Sequence, residues 1–268
     1  MVRMSMNEMT TFSWTFDEDV QRYVEAGYEG IGVWRPKLAD FGEARGIELL
    51  LESGLHVSNL LWAGGFTGSD GRGYEDSIVD GIEAIELAAA LHADCLVVYS
   101  GARDGHIYNH ARRITRNALK QLLTVAESLG VTLAIEPVHP ACGGDWTFLH
   151  SLDDVFDLIS SIHSPYLKLA FDTYHLGQTP LCFDRLRQIA PAVGIVHLAD
   201  ARQPPNGEQN RCLIGEGVVP IREIVSALQD GGFDGFFDVE LMGEDIESCE
   251  YGQILEHSRL ALSELISA

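Results

Sequence analysis

At 268 residues the chain is long enough for one large α/β domain, and 46% hydrophobic with 22% charged residues is an ordinary globular balance. Forty acidic against 18 basic residues give a formal charge of −22, with only three lysines, which argues against a phosphate-backbone surface and disfavours an anionic membrane. Five scattered cysteines without a CxxC pair form neither a disulfide framework nor a thiolate zinc site. The first residues lack the apolar core of a signal peptide, and no apolar run approaches the roughly 20 residues that span a bilayer, so a cytoplasmic protein is expected.

Short apolar runs alternate with helical patterns from end to end. Strands are expected at 3–8 (RMSMNE), 30–34 (GIGVW), 56–62 (HVSNLLW), 94–100 (DCLVVYS), 131–137 (VTLAIEP), 167–173 (LKLAFDT), 193–199 (VGIVHLA) and 235–241 (GFFDVEL). Each is rich in Val, Ile, Leu or Phe, as strands covered on both faces should be. Between them, 15–28, 75–93, 109–130, 151–162, 221–232 and 253–267 carry apolar residues at helical spacing. Thr15 suits an N-cap, Gly130 a C-terminal stop, and Ser151 with an acid three residues later a capping box. Alternation implies a parallel sheet, and eight units imply a closed (β/α)8 TIM barrel forming a single domain over 1–268. The competing open, doubly wound sheet would be expected to carry a glycine-rich nucleotide loop after its first strand, and none is visible.

In such a barrel the active site lies at the C-terminal strand ends. Those positions hold Glu136 after the fifth strand, Asp172 and His175 after the sixth, His197 in the seventh and Glu240 in the eighth. Successive strand ends are neighbours, so Glu136, Asp172, His197 and Glu240 can converge. Three carboxylates in one apolar cavity would repel strongly, and a divalent cation resolves the conflict. Three oxygen donors and one imidazole suit Mn2+, Mg2+ or Co2+, with Zn2+ a further option. Trp34, Trp62 and Tyr99 end the second, third and fourth strands, where aromatic rings can cover the C–H face of a sugar or serve as packing. Gly215–Glu216–Gly217 precedes a helix, but the acidic residue and the overall charge favour a turn over a phosphate cradle, and with it a non-phosphorylated substrate.

The segments AIEPVHP, LAFDTYH, GIVHLADAR and FFDVELMG resemble the xylose isomerase-like superfamily of sugar phosphate isomerases and epimerases. The resemblance runs from the second strand to the last helix and is strongest over 131–243. It implies that Glu136, Asp172, His197 and Glu240 hold one metal ion. It implies further that Glu136 and Glu240 act as the paired acid and base, moving a proton next to a carbonyl through a metal-bound enediolate. His175 and Arg202 match the family's substrate-contacting histidine and arginine. Where ketose 3-epimerases have a further glutamate, this chain has Cys142, and EPVHP and GEG look closer to uncharacterised members of the family and to keto-inositol isomerases; His139 then offers a polar substrate contact.

The expected activity is therefore isomerisation or epimerisation of a sugar, keto-sugar or keto-cyclitol, with a homodimer as the assembly that the resemblance allows. A dehydratase acting on a keto-inositol or dehydroshikimate-like acid would use the same base and metal. An abasic-site endonuclease is disfavoured by Trp62 and Tyr99, which stand where that class places histidines. A non-catalytic binding protein is disfavoured by the intact glutamate pair.

Overall fold

The structure is a computed structural model and describes residues 2–178 and 182–267. Eight parallel strands close in sequence order into a barrel: β1 (Arg3–Asn7), β2 (Gly30–Trp34), β3 (His56–Gly64), β4 (Cys95–Tyr99), β5 (Thr132–Ile135), β6 (Leu167–Asp172), β7 (Val193–Leu198) and β8 (Phe236–Val239). Around them lie α1 (Phe16–Ala26), α2 (Arg35–Phe41), α3 (Glu43–Ser53), α4 (Tyr74–Ala90), α5 (Tyr108–Leu129), α6 (Leu152–Ile162), α7 (Thr173–Leu176), α8 (Phe183–Ile189), α9 (Ile221–Asp230), α10 (Glu244–Glu247) and α11 (Tyr251–Ser267). This is the (β/α)8 TIM barrel expected from the alternation, built as a single domain. No helix of the described residues is long and apolar enough to cross a membrane.

The helices form where apolar spacing and stop signals agree. α5 buries Ala111, Thr115, Ala118, Leu119, Leu122, Leu123 and Ala126, one stripe of a 3.6-residue period, and ends at Gly130 with a left-handed φ of 73°. Ser151 caps α6 by accepting the Asp154 N–H at 3.2 Å, and the Asp154 side chain returns a bond to the His150 N–H at 3.1 Å. α2 and α3 escape the helical reading because Pro36, Gly42 and Gly46 interrupt their pattern. Gly46 is required by close packing, since a Cβ there would lie 2.1 Å from Leu38 Cδ1.

The core has two parts. A large apolar shell lies between strands and helices, while Leu61, Cys95, Val97, Ala134, Ala170, Ile195 and Phe236 form a smaller cluster of their own. Alternation carries the face of this smaller cluster to the barrel mouth: Ala134 leads to Glu136, Ala170 to Asp172, Ile195 to His197 and Phe236 to Asp238 and Glu240. Next to His197 the interior carries a polar layer, where Ser5 Oγ, Asn7 Nδ2 and Asn59 Nδ2 donate to the Asp238 carboxylate at 2.6, 2.6 and 2.8 Å. Gly32 leaves room for it, because a Cβ there would stand 2.6 Å from Asp238 Oδ2 and 2.7 Å from Asn7 Nδ2.

Candidate metal centre and active site

Four strand ends meet at one point. Asp172 and His197 are direct partners across β6 and β7, and His197 pairs with Asp238 across β7 and β8. Glu136 and Glu240 each continue the ladder one residue beyond their strand, donating N–H to Val98 O at 3.1 Å and Leu198 O at 3.0 Å. Backbone pairing therefore fixes where each side chain starts. One ligand atom from each of Glu136, Asp172, His197 and Glu240 lies within 4.8 Å of all the others, and all four residues are buried.

The individual contacts suit a cation. His197 Nδ1 faces Glu240 Oε2 at 2.9 Å and Glu136 Oε1 at 3.1 Å. Among the described residues its Nε2 has no hydrogen-bond partner, and it lies 4.0 Å from Asp238 Oδ2. A carboxylate beneath the ring favours a proton on Nε2, so Nδ1 is the nitrogen that would ligate once a cation displaces the proton it shares with the glutamates. Asp172 uses Oδ1 to accept the N–H groups of Tyr174 (2.6 Å) and His175 (3.2 Å), capping the short α7. Its other oxygen, Oδ2, turns into the cluster and accepts no aligned hydrogen bond, although Arg211 Nη2 lies 2.9 Å away. Three buried carboxylates face Arg211 and the imidazole of His197, with His175 at 3.9 Å from Asp172, so Glu136, Asp172, His197 and Glu240 could hold a divalent ion that balances their charge.

The electrostatics follow from burial and neighbours. Burial raises the Glu136 carboxyl above its ordinary range against the pull of His197. Burial acts in the same direction on Glu240, but Arg211 and His197 outweigh it and bring that group to about 2. His197 is buried, which disfavours its charge, yet the two glutamates hold its pKa well above the usual value. Burial pushes His175 down to about 4, leaving a neutral imidazole.

Above the glutamates opens a cavity of about 120 Å3 walled by Met9, Trp62, Tyr99, Val138, Trp146 and Met242, with His175, Gln209 and Arg211 supplying its other polar groups. Trp62, Tyr99 and His175 thus stand where the sequence places them. Trp34 lines an adjoining outer cleft instead.

A family model described as xylose isomerase-like TIM barrel matches residues 20–262. The chain belongs to this family. Within the xylose isomerase-like TIM barrels, it is 24% identical over 182 residues to the inosose isomerase of Bacillus velezensis, a match covering 66% of this chain and 63% of that protein. It is 31% identical over 125 residues to the D-psicose 3-epimerase of Enterocloster bolteae, covering 46% of this chain and 37% of the relative. The chain thus spans less than two thirds of either relative. A solved structure of the IolI protein with a bound zinc atom superposes with a TM-score of 0.86 at 18% identity, covering 99% of this chain and 98% of that one.

Two further residues expected near the substrate, besides Trp34, are not brought to the cavity. Arg202 is exposed, and its guanidinium bonds Asp245 at 2.6 Å and Glu216 at 2.8 Å. His139 borders a separate surface depression that it shares with His175, and its Nδ1 accepts the Ala141 N–H at 3.2 Å. The arginine that does enter the site is Arg211, which is buried. It donates to the Glu240 carbonyl at 2.8 Å and to Gln209 Oε1 at 3.0 Å. Its only sequence signal is its place in NRCLIGEG, an irregular connection. Gly215–Glu216–Gly217 is a turn as expected, and its cradle is already filled: Asp200 accepts the N–H groups of Gly215, Gly217 and Val219, each at 3.0 Å.

Proposed function

We propose that this protein is a divalent-metal-dependent isomerase or epimerase of a non-phosphorylated sugar, keto-sugar or keto-cyclitol. The observation that carries the reading is the convergence of Glu136, Asp172, His197 and Glu240 at the floor of a small cavity with aromatic walls. Glu136 and Glu240 both border that cavity, on strands three apart in the barrel. One carboxylate removes the proton from the carbon beside the substrate carbonyl, and the other delivers a proton to the same or the neighbouring carbon. A divalent ion bound by the four residues would supply electrophilic stabilisation of the negative charge that develops on the carbonyl oxygen. Arg211 and the neutral His175 place hydrogen-bonding groups toward the sugar oxygens, while Trp62, Tyr99 and Trp146 cover its C–H face and displace water. The Gly215–Gly217 turn bound by Asp200 and the acidic surface support a substrate without phosphate. Five free cysteines fit a reducing compartment, the cytoplasm.

The test is solvent exchange. The Mn2+-loaded protein incubated in D2O with keto-sugars and keto-inositols is expected to incorporate deuterium next to the carbonyl without losing water. Glu136→Gln and Glu240→Gln are each expected to lower the rate by at least about a hundredfold, the scale of a lost general acid or base. Full activity in either variant sinks the two-glutamate mechanism, and release of water in place of exchange moves the assignment to a lyase.

A further inference from the structure

Beside the metal cavity lies a second, wider cleft of about 520 Å3 that shares Trp62, Tyr99 and Trp146 with it. Its outer wall is Trp34, whose ring lies 5.5 Å from the exposed Phe12, and its rim includes Ala39 on α2. The inner cavity, about 120 Å3, is the smaller by several fold. Two of the three indoles, Trp62 and Trp146, border both spaces, and the third, Trp34, borders the outer one alone.

The charges in the outer cleft are spoken for. Arg35 and Arg72 both bond Asp80, at 3.0 and 2.8 Å, and Arg72 is held also by Asp70 at 2.7 Å. Glu43 adds a negative charge at the rim. Two guanidinium groups against three carboxylates leave fixed donors and acceptors with a slight excess of negative charge, which suits hydroxyl groups and disfavours a phosphate. Aromatic faces beside such groups suit the alternating C–H and O–H faces of a pyranose.

We propose that this outer cleft is a second sugar-binding subsite, and that the substrate is a keto-sugar joined to a neutral glycosyl unit. The reacting ring occupies the inner cavity, and the second ring lies between Trp34 and Trp146. The assignment rests on the inner cavity being the sugar site proposed above, but its test is separable.

Calorimetric titration of the Mn2+-loaded protein with cellobiose, maltose and glucose reads the subsite directly. At least one disaccharide is expected to bind at least tenfold more tightly than glucose. Ala39→Phe, a change at an exposed helix position that narrows the cleft, should cancel this advantage and leave glucose binding as it was. Trp34→Ala should also cancel it, with the melting temperature confirming the fold in both. Equal affinities, no detectable disaccharide binding, or an advantage that survives both substitutions overturns the proposal. So does sedimentation showing a dimer that Trp34→Ala converts to monomer, since the cleft would then be a subunit contact. Glu136→Gln separates the readings. If it keeps solvent exchange while the disaccharide advantage still depends on Trp34, the mechanism fails and the subsite stands.

Discussion

Arg211 ties the loop after β7 to two of the candidate ligands at once: its guanidinium reaches Asp172 Oδ2 at 2.9 Å and Glu240 Oε1 at 3.5 Å while bonding the Glu240 carbonyl. A lysine keeps the charge but offers no planar fork. Arg211→Lys is expected to reduce kcat/KM about ten- to a hundredfold in steady-state kinetics, the scale of one lost hydrogen bond to a charged group. Nothing periodic marks this residue in the sequence, because it sits in an irregular loop where distance along the chain says little about distance in space. Arg202 is nearer to His197 in sequence and yet faces solvent. Glu136, Asp172, His197 and Glu240 were legible because each ends an apolar strand, and strand alternation sets the face that each presents. Away from the site, Glu8 is buried beside Asp19 and Lys37, with Oε2 accepting the Trp34 N–H at 2.7 Å. Burial first and the Asp19 charge second raise its pKa well above the ordinary value. The folded protein then keeps this proton at a pH where the unfolded chain has lost it, so the contribution is complete at acid pH and fades as pH rises. Glu8→Gln, which resembles the protonated acid, is expected to be more stable than the parent by a margin that grows between about pH 5 and pH 8. The slope is at most about 1.4 kcal/mol per pH unit, measured by denaturant unfolding.

Among the elements, β2 shows how a missing side chain builds a site on a neighbouring strand. Gly32 faces the polar layer formed by β1, β3 and β8, and that layer holds Asp238 under His197. Gly32→Ala is expected to cost about 2 kcal/mol, the range for overpacking, seen as a lower melting temperature. It should also weaken Mn2+ binding by calorimetry, because the carboxylate must shift under the imidazole. The strands were readable from short β-branched runs, and helices such as α5 from their stripe. α2 and α3 were not, since Gly46 looks like a helix breaker when read alone. Its reason is tertiary: the space it leaves is taken by Leu38.

For the molecule as a whole, eight repeats of strand and helix fixed the barrel, and the barrel in turn told which strand ends to read. What the repeats could not carry is the cleft beyond the metal cavity, because Trp146 and Arg72 reach it from connections with no period. The formal charge of −22 belongs to this scale too. Self-repulsion among exposed carboxylates opposes the compact state and is screened by salt. Raising NaCl from about 10 mM to about 0.3 M is expected to lift the melting temperature by about 2–4 °C, which for a chain of this size corresponds to about 1 kcal/mol.

The Asp200 carboxylate held by Gly215, Gly217 and Val219 has one more effect. A loop of free amide groups near a barrel mouth is a lure for any passing oxyanion, and here the lure is permanently baited from within. Inorganic phosphate, sulfate and sugar phosphates find no vacancy in that loop, so calorimetric titration of the metal-free protein with phosphate should show no binding there, and Asp200→Asn should not change that.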